Sequence, residues 1–243
     1  MPGKFLKGAF VEFMPTFLVP LPNVIIFQFN PETMTHTWAP TARETAAVGG
    51  GQSNPLAVKG LPGESFSFSL AMDASDMIAD GSPVAAGLAT TTGIYSRLAA
   101  LEMLLYPTGA FQGSGLLGSV SASISAGGLS IGGSASAKVD ASVPQSTVPT
   151  VLFVWGPGRI LPVRVTSLTI TEKLYDALLL NPTHADAQIG LTVLTPDELK
   201  AVTGTLAEVA KGAYKFSQGL RQALAVANLA NAAESIIGML PVG

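Results

Sequence analysis

Residues 65–73 alternate strictly, with Phe66, Phe68, Leu70 and Met72 on one side and the serines and Ala71 on the other. A period of two belongs to a strand with one face buried. Residues 8–13 and 23–29, rich in β-branched and aromatic side chains and joined by the Pro-rich stretch 14–22, predict two more strands. Asn30-Pro31 closes the second, because proline cannot donate to a ladder and restricts the residue before it. Residues 39–62 contain Gly49-Gly50-Gly51, Asn54-Pro55 and Leu61-Pro62 and predict a long loop. After Pro149 the apolar run 151–155 and the turn Gly156-Pro157-Gly158 lead into Leu161, Val163 and Val165, then Leu168 and Ile170. Ile189, Leu191 and Val193 form the last predicted strand.

Two segments carry a helical period instead. In 94–106, Ile94, Leu98, Leu101 and Leu105 share one face, and Pro107 ends the helix. Near the C-terminus, Thr195-Pro196-Asp197-Glu198 combines a capping threonine, proline at the first helical position and a capping-box glutamate. Leu199, Val202, Leu206, Val209, Ala213, Phe216 and Leu220 follow at spacings of three and four, a heptad seam. Gly204, Gly212 and Gly219 each cost about 1 kcal/mol against alanine, so this helix needs a partner surface. Between the two helices, residues 107–149 are dominated by Gly, Ser and Ala, with Lys138 and Asp140 the only charges. Val120, Ala122 and Ile124 alternate there with serines, so a flexible linker and a small-residue hairpin arm both fit. The expected class is α+β, mainly β: an antiparallel barrel or sandwich with one flanking helix and a C-terminal helical extension. Residues 1–195 would form the β domain, interrupted by 107–149, and 196–243 the extension.

Composition narrows the function. Charged residues make up 12% of the 243, against roughly a quarter in ordinary soluble chains, and hydrophobic residues make up 48%. So few charges leave apolar surface exposed, which a membrane or a protein interface can cover. The most apolar stretch, 13–29, is broken by Pro15, Pro20, Pro22 and Asn23, which favours the interface over direct membrane insertion. A net charge of −3 with scattered basic residues argues against nucleic acid as the partner. The absence of cysteine removes thiolate chemistry. Lys4 and Lys7 precede an apolar stretch, but Glu12 and the prolines interrupt it, so a cytoplasmic protein without a signal peptide is expected.

Catalytic patterns are weak. Gly128-Leu129-Ser130-Ile131-Gly132 matches a nucleophile elbow, yet no helical pattern follows Ser130. Gly113 to Gly118 matches a dinucleotide fingerprint but follows a helix and a turn. His36 and His184, the only histidines, are expected in separate surface loops without metal-ligand spacing. Asp73, Asp76 and Asp80 lack the glycine and glutamate of a calcium loop. No catalytic, cofactor or metal residue is therefore assigned.

One resemblance organises these observations. Residues 24–32, VIIFQFNPE, resemble the "FQFNP" signature that opens the tube-protein domain of contractile injection systems, and Trp38 the aromatic that follows it. Residues 66–73 resemble that family's central strand, 149–156 and 163–170 its "P…F.WG…V.V.SL.I.E" half, and 191–197 its closing strand and "L-T-P" exit. The resemblance implies a phage-tail-tube-like fold used in sixfold rings, a homo-hexamer meeting spike, inner-tube and baseplate proteins. The chain departs from many relatives in lacking a recognisable LysM domain and in its long Gly/Ser segment. The implied role is a tube initiator or adaptor, or else an inner-tube or tube-capping subunit. The rivals are a serine hydrolase built on Ser130 and a module binding cell-wall polymer or cargo. Phe29, Asn30, Pro31, Trp38, Trp155, Val209, Phe216 and Leu220 are the candidate assembly residues.

Overall fold

The structure, a computed structural model, describes residues 6–13, 22–41, 56–79, 83–107, 124–125, 128–129, 148–202 and 205–239. Its frame is one seven-stranded antiparallel sheet. The strands are β1 (Ala9–Phe13), β2 (Pro22–Ile26), β3 (Met34–Ala39), β4 (Gly63–Asp73), β7 (Val151–Val154), β8 (Ile160–Tyr175) and β9 (Pro182–Val193). Their order across the sheet is β2-β1-β7-β8-β9-β4-β3. The helices are α1 (Ala74–Ala79), α2 (Pro83–Thr92), α3 (Tyr95–Met103) and α4 (Thr205–Met239).

The sheet curls on itself. Phe10 in β1 and Phe68 in β4 lie with ring centroids 6.3 Å apart, although β7, β8 and β9 stand between their strands. Phe27, just after β2, and Phe153 of β7 fill the space between them. The outer strands β2 and β3 do not pair with each other, so the sheet is open where a closed barrel was one of the expectations. The alternation in 65–73 holds: Phe66, Phe68, Leu70 and Met72 are all buried in this core. Ile94, Leu98, Leu101 and Leu104 cover it from α3, while Leu105 is exposed because the helix ends at Met103.

Other expectations change. Two unpredicted short helices, α1 and α2, precede the predicted one, with Asp73 Oδ1 accepting the Ser75 N–H at 2.7 Å to cap α1. His36 and His184 lie on β3 and β9 rather than in loops. Strand β3 begins five residues before the predicted long loop, and β8 runs on to Tyr175 past a bulge between Val165 and Ser167. In the Gly/Ser segment, the short strands β5 (Ile124–Ser125) and β6 (Gly128–Leu129) pair antiparallel, as the hairpin alternative requires at that point. Ser130 and 113–118 lie outside the described residues.

Candidate interaction surfaces

The loop after β2 is tied down by its own polar side chains. Asn30 Oδ1 accepts the Gly8 N–H at 2.9 Å, and its Nδ2 donates to the Leu6 carbonyl at 2.8 Å. Gln28 Nε2 donates to the Asp73 carbonyl at 2.8 Å, and its Oε1 accepts the Asp73 N–H at 3.1 Å. A side-chain amide thus replaces a neighbouring strand at the end of β4. Phe29 is left exposed and Pro31 half-buried. Asn30 is therefore a fastener of the fold as well as a candidate contact. Gly8 itself has no room for a side chain: a Cβ there would lie 2.7 Å from the rings of Phe27 and Trp155. Trp155 is half-buried against the core, its ring 6.1 Å from Phe153. Gly8→Ala is expected to destabilise the protein by about 1–3 kcal/mol through overpacking, read as a lower midpoint in urea.

The C-terminal helix differs from the sequence pattern in two ways. The capping box forms, with Thr195 N–H donating to Glu198 Oε2 at 2.7 Å, but it serves a single 3-10 turn, Glu198–Lys200. The long helix starts later, at Thr205. Its buried row is Ala207, Ala210, Tyr214 and Ser217, one residue on from the predicted seam. Val209 and Phe216 of that seam are exposed, Phe216 at 53%. Small residues let the helix backbone approach the outer face of the sheet, where Leu152, Leu199 and Ala210 make a second cluster. Ser217 Oγ donates to the Ile160 carbonyl at 2.7 Å and accepts the Ile160 N–H at 3.1 Å. Leu220 is half-buried over Gly158, whose Cβ would fall 2.8 Å from Leu220 Cδ2.

Arg221 completes the attachment. Its guanidinium forks onto both oxygens of Glu64, a carboxylate with a side chain only 3% exposed, and sits 4.9 Å from the centroid of the Trp38 ring. His36 Nε2 lies 2.8 Å from Glu64 Oε1. Burial holds His36 below its ordinary 6.5 despite the carboxylate, and the charges of Arg159 and Arg221 push the same way. A depressed histidine pKa means that the unfolded chain binds the proton first. Its stabilising contribution is complete above about pH 6.5 and is lost as the pH falls below that. Stability should therefore drop between pH 7 and pH 5, and His36→Gln should flatten that part of the profile. Asp73, lowered chiefly by the Ser75 N–H, acts in a separate window below its ordinary 3.8.

Beyond Arg221, residues 222–229 are all exposed, including Leu224, Val226 and Leu229. A second apolar surface lies at the β8–β9 turn, which sequence periodicity did not single out. Leu178, Leu179 and Leu180 are consecutive and exposed, Leu178 at 89%, with Leu174 and Tyr175 exposed beside them. The turn is built to hold them there. Asp176 Oδ2 accepts the N–H groups of Leu178 and Leu179 at 3.2 and 2.9 Å, and the Asp176 carbonyl accepts that of Leu180 at 3.0 Å. Leu174 and Leu180 adopt φ of 52° and 54°, a conformation that disfavours L side chains.

No family model matches the chain, and no curated protein matches it. No described helix is long and apolar enough to cross a membrane.

Proposed function

We propose that the protein is a structural ring subunit of a contractile injection particle, a tube initiator or adaptor between spike and inner tube. It works by assembly, with no chemical step. The observation that carries this reading is the placement of exposed apolar surface at two ends of one rigid sheet. Helix α4 leaves the sheet at Glu64, near the start of β4, whereas the leucine turn lies beyond Asp73, at its other end. The nine residues of strand between them span about 30 Å. Different patches on opposite ends suit head-to-tail, heterologous contacts, which close into rings or stack into tubes. The low charge content and the resemblance of residues 24–32 and 149–170 to the tube-protein family support the same reading.

Its test is sedimentation velocity of the purified chain at micromolar concentration. Assembly predicts a dominant species of several subunits, with a monomer appearing only on dilution. A single monodisperse monomer over the whole range would overturn the proposal.

A further inference from the structure

Strand β4 has a break in its outer edge, and Pro31 lies across from part of it. Strand β3 pairs with β4 from Ala39↔Gly63 to Met34↔Phe68 and stops there. Continued in the same register, the ladder would set Thr33 against Ser69 and Pro31 against Ala71. Proline has no N–H to give, and the chain turns away instead. It returns at Gln28, whose amide takes both backbone groups of Asp73.

That pair of bonds fixes which way β4 points. In an antiparallel ladder, the N–H and C=O of one residue face the same side, and successive residues alternate. Asp73 faces the β3 side, so Ala71 and Ser69 face it too, and Met72 and Leu70 bond to β9. The register between β4 and β9 is unbroken from Ser65 to Asp73, so this alternation carries through. Among the described residues, no backbone hydrogen bond joins the loop to Ser69 or Ala71. Ser69 and Ala71 also line a hollow of about 920 Å³, together with Gln28, Pro31, Glu32 and Asp76.

We infer that this gap is a strand-acceptor site: it takes an extended segment of a partner protein, which bonds to Ser69 and Ala71 as a short added strand. Edges of this kind are used for recognition by strand addition, in which main-chain bonds supply affinity and pockets supply specificity. The segment must be free of proline where it pairs. It should also carry a lysine or arginine, because Glu32, Asp76 and Asp186 line the hollow against Lys7 alone. Asp186 is engaged by Lys173, which leaves Glu32 and Asp76 to meet the incoming cation. The slot is about three residues long, bounded by Gln28 at one end and Met34 at the other.

The test uses the whole chain and an acetylated, amidated pentapeptide, Thr-Val-Lys-Val-Thr, with amide hydrogen exchange read by NMR. In the free protein, the Ser69 and Ala71 amides should exchange at least about 100-fold faster than those of Leu70 and Met72. The peptide should slow both amides. A twin N-methylated at alternate residues should not, and a twin with glutamate for lysine should bind about tenfold more weakly. Asp76→Asn, on the exposed side of α1, should weaken the lysine peptide while leaving the free-state exchange pattern intact. Equal protection of all four amides in the free protein would overturn the inference. So would a lysine peptide that leaves Ser69 and Ala71 unchanged at millimolar concentration, or an N-methylated twin that protects them equally.

Discussion

Replacing Arg221 by alanine is expected to destabilise the protein by about 3 kcal/mol, the largest loss predicted for any single surface-facing residue. The substitution strands Glu64, whose side chain is 3% exposed and whose two oxygens both receive the guanidinium. A buried carboxylate without its partner is costly, whereas replacing both members of the pair by apolar residues of similar size is often close to neutral. Arg221→Leu combined with Glu64→Leu should therefore recover most of what Arg221→Ala loses. Lys211→Ala provides the contrast: its ion pair with Glu208 is an exposed i,i+3 contact, screened by water, and its loss should leave the urea midpoint nearly unchanged. Urea denaturation of the three variants beside the wild type measures this directly. A loss below about 1 kcal/mol for Arg221→Ala would show that α4 is not latched through Glu64.

The second large effect falls on assembly. Changing Leu178, Leu179 and Leu180 together to serine should leave the melting temperature nearly unchanged, because these side chains are exposed and touch no core. The same triple change should abolish higher-order species, since interface energy concentrates in a few apolar anchors. Circular dichroism with sedimentation separates the two outcomes. A triple variant that still assembles with wild-type concentration dependence would remove the turn from the interface.

Much of this architecture was legible in the sequence, for reasons that differ from element to element. Phe66, Phe68, Leu70 and Met72 announce β4 because one face meets the core and the other does not, and register makes that alternation strict. Strand β3 was missed because it lies at an edge. Only Met34 and His36 along it are half-buried, so Thr35, Thr37 and Trp38 blur the period. The α4 seam was displaced by one residue because hydrophobic periodicity weights large side chains. The row that lies down instead offers Ala207 and Ala210 for close approach, and Ser217 and Arg221 for polar groups on the sheet. Of the candidate assembly residues, Phe29, Trp38, Val209 and Phe216 stand exposed, while Trp155 and Leu220 are half-buried in packing within the chain. The leucine turn had no periodicity to betray it. Its signature is local: Asp176 followed by three leucines and Asn181-Pro182, a turn whose carboxylate binds its own backbone.

Electron microscopy of the purified chain tests assembly most directly. Ring-shaped particles are expected, sixfold in projection, with α4 of one copy or its leucine turn lying between neighbours. Class averages showing only isolated single chains, at concentrations where sedimentation also reports a monomer, would contradict the proposal that this protein acts by building a ring.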